Sequence, residues 1–231
     1  MLSSRNRIAM VSGAARGIGR ATLEHLLDTG WCVSAGIRDA RGLKESDRLS
    51  LHRYDAEDSS SPRAWVAATL ARFGNIHALV NAAGINTKAT LADEDETALD
   101  ALWAINVKAP MRLIRAALPA LRACGEGRVV NVASLSGKRV ANENVGYAMS
   151  KFALNALTQA VRREGWDDGV RACSVCPGFV ATDMTAAVTT TPRGSMSSAA
   201  DVAVLIGTVL CLPNNATIGE VLVNCRVEPM L

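Results

Sequence analysis

Histidine is scarce in this chain. Only His25, His52 and His77 occur, all ahead of the turn at 81–84, and single scattered histidines are ordinarily structural or exposed. No histidine follows Ser134 to serve it as a base, and the surrounding string "ASLSG" lacks the glycine that precedes the nucleophile in a G-x-S-x-G elbow. A serine hydrolase is therefore excluded. Metal-ligand spacing is missing as well: the cysteines at 32, 124, 173, 176, 211 and 225 are dispersed except in "CSVC", with no second C-x-x-C and no histidine pair. That pair lies in "VRACSVCPG", which reads as a strand whose residues three apart face opposite sides, so buried thiols are expected and no metal. A core of this size needs no disulfide framework.

Long hydrophobic runs are absent. Nothing approaches a membrane span, and the start "MLSSRNRIAMVSGAARG" has no signal-peptide h-region, so a cytoplasmic protein is expected. Neither sign of charge dominates: 25 Lys and Arg against 22 Asp and Glu leave a net +3 spread along the chain, which offers nucleic acid no footprint. Repeats and long linkers are also lacking. With 231 residues, 49% of them hydrophobic, one domain spanning 1–231 is expected.

What is present is an alternation. Strand-length apolar runs recur at "RIAMVSG", "WCVSAGI", "LSLHRYD", "HALVNAAG", "GRVVNVAS", "VRACSVCPG" and "GEVLVNC", with helical segments near 17–29, 62–73, 95–122, 145–165 and 198–211. Pro110 and Pro119 are expected to bend or shorten the third helix. Continuously apolar strands imply burial on both faces. The expected fold is α/β, a Rossmann-type doubly wound sheet of about seven parallel strands with helices on both faces. The stretch 182–198, "TDMTAAVTTTPRGSMSS", has loop composition and falls on the carboxyl side of the sheet, where it is either a small lid or a plain connection.

The first strand runs into "SGAARGIGRATLEHLL", placing Gly13, Gly17 and Gly19 at a strand-to-helix turn. Such a turn lets backbone N–H groups at a helix N-terminus approach a pyrophosphate. The spacing G-x-x-x-G-x-G differs from G-x-G-x-x-G, and a P-loop is excluded because no Gly-Lys-Ser/Thr follows. Where a dinucleotide fold meets the adenosine ribose, an acidic residue reads NAD, whereas here Ile37 and Arg38 follow the second strand. Arg38, joined by Arg16, favours the 2′-phosphate of NADP over NAD. The competing reading makes both arginines solvated, with Arg38 paired to Asp39.

Taken together, "SGAARGIG", "NAAG" at 81–84, Asn106, Ser134, "YAMSK" at 147–151 and "PGFVATDM" at 177–184 resemble the short-chain dehydrogenase/reductase family in order and spacing across nearly the whole chain. The resemblance implies a catalytic tetrad of Asn106, Ser134, Tyr147 and Lys151. It places Gly13, Arg16, Gly17, Ile18, Gly19, Arg38, Asp55, Asn81, Ala83 and Gly84 along the cofactor, with Pro177, Gly178, Val180 and Thr182 at the nicotinamide and Tyr147 and Lys151 also touching it. It further implies that Asn106 holds a water completing a proton path from Tyr147 through the cofactor ribose and Lys151. The implied partners are a small carbonyl or alcohol substrate and further copies of the chain in a homotetramer or homodimer. Judged without the family, Asp55 is a strand-end or capping residue and Asn106 a buried network residue.

Hydride transfer to a carbonyl needs a proton donor for the developing alkoxide. Tyr147 and Lys151 lie roughly 40° apart around a helix and about 6 Å apart along it, beside an apolar stripe through Ala148, Phe152, Ala156 and Leu157. A nearby ammonium favours the phenolate. Three departures from the family pattern stand out: Ser12 for Thr, Ala82 for the second Asn of N-N-A-G, and a C-terminal "GEVLVNCRVEPML" without Asp-Gly-Gly. The last two leave a second reading, a nucleotide-binding regulatory or scaffold protein without turnover, while Ser12 keeps the hydroxyl.

Overall fold

A computed structural model describes residues 1–186 and 188–227 of the chain. Ala187, inside the expected lid, and the last four residues of "GEVLVNCRVEPML" lie outside the described residues. Seven strands form one fully parallel sheet: β1 (Ile8–Ser12), β2 (Cys32–Ile37), β3 (Leu49–Arg53), β4 (Ala78–Asn81), β5 (Arg128–Val132), β6 (Arg171–Pro177) and β7 (Glu220–Val223). Their order is β3-β2-β1-β4-β5-β6-β7. The chain winds outward from β1 to one edge and then from β4 to the other. The reversal point lies between β1 and β4, where the carboxyl ends of an open parallel sheet leave a crevice.

Both faces are covered. Helices α1 (Gly17–Asp28) and, late in the chain, α7 (Ala199–Leu210) pack on one face through Leu23, Leu26, Val202 and Ile206. Helices α2 (Ser61–Phe73), α4 (Ala109–Ala123) and α5 (Val145–Glu164) cover the other through Trp65, Leu113, Ile114, Leu121 and Val161. The period of two is visible along β1, where Ala9 and Val11 join the first cluster and Met10 the second. Cys173 and Cys176 behave likewise: both are buried free thiols, on opposite faces of the sheet.

The expected helix over 95–122 is three pieces. Helix α3 (Thr97–Trp103) passes into a π-turn (Ala104–Lys108), and α4 follows. Pro110 explains the break, because it has no N–H to offer the carbonyl of Asn106 and so cannot continue an i to i−4 ladder there. Pro119 sits inside α4 on its exposed side, and the helix runs through it. The 182–198 stretch is not unstructured throughout: it holds the short helix α6 (Asp183–Ala186) and a 3₁₀ turn (Arg193–Ser195). Its two ends are closed by a parallel bridge between Val180 and Ser197.

Candidate active site

The crevice at the carboxyl ends of the strands is a cleft of about 1150 Å³. That exceeds the range of roughly 300–1,000 Å³ usual for small-molecule sites, and suits an extended ligand with a substrate beside it. Of the residues expected at the cofactor, Gly13, Arg16, Gly17, Ile18, Gly19, Arg38, Asp55, Ala83, Gly84, Tyr147, Lys151, Pro177, Gly178, Val180 and Thr182 line it, as does Ser134. Asn81 and Asn106 do not.

The glycine turn is built by close approach. Gly13 has φ +66°, and a Cβ on it would lie 2.8 Å from the backbone of Ala83. The junction is held by Ser12, whose Oγ accepts from the N–H groups of Ala82 (3.1 Å) and Ala83 (3.2 Å). The hydroxyl in the first motif therefore anchors the atypical "NAAG" turn through its backbone. Beyond the turn, α1 begins without a side-chain cap at Arg16 and without an acidic residue in its first turn. By contrast, α7 carries a full capping box from Ser198 and Asp201. The first N–H groups of α1 are left for an anion, as a pyrophosphate-binding turn requires. Cleft size and the uncapped helix both fit a dinucleotide.

At the adenosine end the Arg38–Asp39 pair of the competing reading does not form. Asp39 turns instead to Arg41, accepting its backbone N–H at 3.2 Å and lying 3.9 Å from its Nε. Arg41 also lines the cleft and escaped the sequence reading, since nothing in the local pattern shows that a residue four beyond the strand turns back. Asp55 lines the cleft just past β3; its Oδ1 accepts from Glu57 N–H at 3.0 Å and its own N–H donates to Ser61.

Asn81 is occupied elsewhere. Its Nδ2 donates to Asn131 (2.8 Å), Asn131 donates to Thr158 (2.8 Å), and Ser174 donates to the same threonine (2.8 Å). This buried network ties β4, β5, β6 and α5 together, and burial requires that such polar groups be satisfied.

Tyr147 and Lys151 sit on α5, whose first turn is capped by Asn144. That side chain also accepts the N–H of Ala89 (2.9 Å) and donates to Asn86 (3.0 Å) and to the Thr87 carbonyl (3.1 Å), stapling the 85–89 segment to the helix. Asn106 holds the start of the segment, bonding both the N–H and the carbonyl of Ile85 at 3.0 Å and donating to Ser150 at 3.0 Å. A Cβ on Gly84 would stand 3.2 Å from Asn106 Oδ1 and 3.8 Å from Lys151 Nζ. Asn106 is thus behind the cleft wall, next to the lysine.

Ser134 begins a 3₁₀ turn (Leu135–Gly137) just after β5, its Oγ accepting from Ser136 N–H, and its hydroxyl stands near enough to the Tyr147 phenol to lower the phenol's pKa. Lys151 Nζ lies 5.6 Å from the centre of the Tyr147 ring and donates to the Val132 carbonyl at 2.9 Å. Burial pushes the Lys151 ammonium down to about 8, Cys176 opposing it. Burial also pushes the phenol up to about 12, against a lowering by the Ser134 hydroxyl. The shift runs opposite to the expected lowering by the ammonium, because removing a phenolate from water disfavours it more than the Ser134 hydroxyl favours it.

Among the described residues no group of His, Cys, Asp and Glu could hold a metal, and no helix is long and apolar enough to cross a membrane.

Comparison with known proteins agrees with this geometry. The family model for short chain dehydrogenases matches residues 7–193. An agropine synthesis reductase of Rhizobium rhizogenes is 40% identical over 96% of this chain, and the chain spans 53% of that protein, about half its length. Among solved structures, a 3-ketoacyl-(acyl-carrier-protein) reductase from Brucella melitensis complexed with NADH aligns at TM-score 0.87 and 24% identity, covering 96% of this chain and 98% of that one. An alcohol dehydrogenase from Thermococcus sibiricus complexed with 5-hydroxy-NADP aligns at 0.83 and 23%, covering 94% and 95%. At such identities the structural likeness speaks to fold, while the family model and the relative in Rhizobium rhizogenes speak to descent. The chain belongs to the short-chain dehydrogenase family of oxidoreductases.

Proposed function

We propose that this chain is an NADPH-dependent carbonyl reductase that also runs in reverse as an alcohol dehydrogenase, with Tyr147 as its general acid and base. The observation that carries the reading is the meeting of the Ser134 hydroxyl and the Tyr147 phenol in the cleft, with the Lys151 ammonium against the tyrosine ring. A nicotinamide dinucleotide, when bound, supplies a hydride to the carbonyl carbon. The substrate oxygen accepts hydrogen bonds from Ser134 Oγ and Tyr147 Oη, and as the alkoxide develops the phenol proton passes to it, leaving C–H and O–H in place of C=O. A phenol held up to about 12 stays protonated at neutral pH, which suits the reducing direction. Lys151 opposes the phenolate charge after transfer, and Asn106, fixed on the π-turn, positions the segment beside Lys151.

The alkoxide's demand for a donor makes Tyr147→Phe the decisive substitution. The ring is kept, so NADPH binding is expected to stay within a few-fold while carbonyl-dependent loss of NADPH absorbance falls roughly 10²–10⁴-fold. Wild-type turnover in the Phe variant overturns the assignment. Exposed Met111 on α4 with Met149 and Phe152 on α5 support a dimer or tetramer, which light scattering measures.

A further inference from the structure

The 3₁₀ turn that follows Ser134 is clamped to α5 by a residue one helical turn beyond Lys151. Asn155 is 5% exposed, and its Nδ2 donates to the Gly137 carbonyl at 3.0 Å. Its Oδ1 accepts from the Cys176 thiol at 3.7 Å. One amide therefore ties together α5 with Tyr147 and Lys151, the turn after β5, and the end of β6 that runs into Pro177 and Gly178. Burial requires that such an amide be satisfied. What sets Asn155 apart is where its donor ends, on the turn of Ser134 rather than on its own helix.

The fit at this junction is close. A Cβ on Gly137 would lie 2.7 Å from the Lys151 carbonyl oxygen and 2.8 Å from Asn155 Nδ2, so the turn rests on the helix backbone. Gly137 N–H donates back to the Ser134 carbonyl at 2.9 Å, and Ser134 Oγ accepts from Ser136 N–H at 3.1 Å. A shift of Gly137 along α5 thus passes to the serine through a single tight turn. The Ser136 contact uses an acceptor site of the Ser134 hydroxyl and leaves its proton to donate. That hydroxyl stands near enough to the Tyr147 phenol to lower its pKa.

From this we infer that Asn155 is a positioning residue for proton transfer at the substrate oxygen: by holding the Gly137 carbonyl against α5, it fixes the Ser134 hydroxyl relative to the Tyr147 phenol. The inference rests on the reading of Ser134 and Tyr147 given above. Its consequence is selective. Without the clamp Ser134 drifts, and misplacing a group that meets the substrate oxygen slows turnover while the dinucleotide turn is untouched.

The test is a double-substitution cycle on the full chain with Ser134→Ala and Asn155→Leu, the latter keeping the branched shape without donor or acceptor. NADPH-dependent reduction of benzaldehyde is followed beside the ring Cζ spectrum of isotope-labelled tyrosine, in which Tyr54 and Tyr147 are the two signals and Tyr147→Phe tells them apart. Asn155→Leu is expected to lower kcat roughly ten-fold with the KM for NADPH nearly unchanged. In the Ser134→Ala background the same change is expected to move kcat by no more than about two-fold, because residues that act as one unit do not add. The Tyr147 signal is expected to move in Asn155→Leu as it does in Ser134→Ala, while that of Tyr54 stays. Unchanged kcat, an equal loss in both backgrounds, or an unmoved Tyr147 signal overturns the clamp. The spectrum uses neither dinucleotide nor substrate, so it decides the matter where benzaldehyde is not turned over, and Asn155→Ala replaces Asn155→Leu if that variant does not fold. The two readings fail separately. If Tyr147→Phe turns over as wild type, the general-acid reading is lost. If Tyr147→Phe is inactive and Asn155→Leu keeps full kcat, only the clamp is lost.

Discussion

Lys151 is held in the folded protein against the preference of its own charge, and Lys151→Met makes that measurable. The residue is 6% exposed, and burial lowers its pKa from 10.5 to about 8. At 1.36 kcal/mol per tenfold in the proton equilibrium, that displacement is worth about 3 kcal/mol. The sign follows from proton counting. Between pH 8 and 10.5 the unfolded chain holds the lysine proton and the folded chain has lost it, so wild-type stability rises with pH across that window. Below pH 8 the full penalty is present, and above 10.5 it is gone. Methionine removes the charge but also the donor to the Val132 carbonyl, a loss of about 1–2 kcal/mol. The variant is therefore expected to be about 1–2 kcal/mol more stable than wild type at pH 7, raising Tm by a few degrees for a chain of this length. Above pH 10.5 it is expected to be less stable by a similar amount. Urea unfolding of both proteins from pH 7 to 11, without dinucleotide, reads the difference, and repeating the pair in a Tyr147→Phe background removes the tyrosine titration from it. Parallel curves that never cross refute the claim that an ammonium is buried beneath Tyr147. Carbonyl reduction is expected to collapse in the stabilised variant, as for a residue retained for chemistry at a cost in stability.

Ser12→Ala is expected to destabilise the fold by about 1–3 kcal/mol in urea, because the partly buried N–H groups of Ala82 and Ala83 lose their acceptor. Ser12→Thr keeps the hydroxyl, and equal stability of the Ala and Thr variants refutes the anchoring role. Asn144→Ala is expected to cost about 1 kcal/mol through the lost helix cap, to speed amide exchange at Ala89, and to lower turnover through a displaced Tyr147. Asn144→Asp retains the acceptor that caps α5 and receives Ala89 N–H, so it protects that amide, and fast exchange in both variants counts against the staple.

Much of the site was legible because its parts are local. The glycines at 13, 17 and 19 reach the cleft since a strand-to-helix turn leaves them nowhere else to go, and Tyr147 with Lys151 share a flank because helical geometry fixes residues four apart. Residues whose role is set by distant neighbours were not legible. Asn81 has the motif position of a cofactor residue, yet Asn131, fifty residues on, claims its amide. Arg41 follows the β2 motif with no signal of its own, and only the fold of its loop brings it to the cleft. Asp39 beside Arg38 reads as an ion pair in one dimension and as the partner of Arg41 in three.

Apolar periodicity and turn chemistry act over a few residues, so a doubly wound parallel sheet and a glycine turn at its first crossover were readable in the chain, while Asn106, Ser134, Tyr147 and Lys151 stood out only through the family resemblance. The packed fold set the order of strands about β1 and β4, the withdrawal of Asn106 from the cleft lining, and the raised pKa of Tyr147. Those depend on which segments pack together and how much water they exclude, and desolvation is a property of the assembled core that no stretch of chain carries alone.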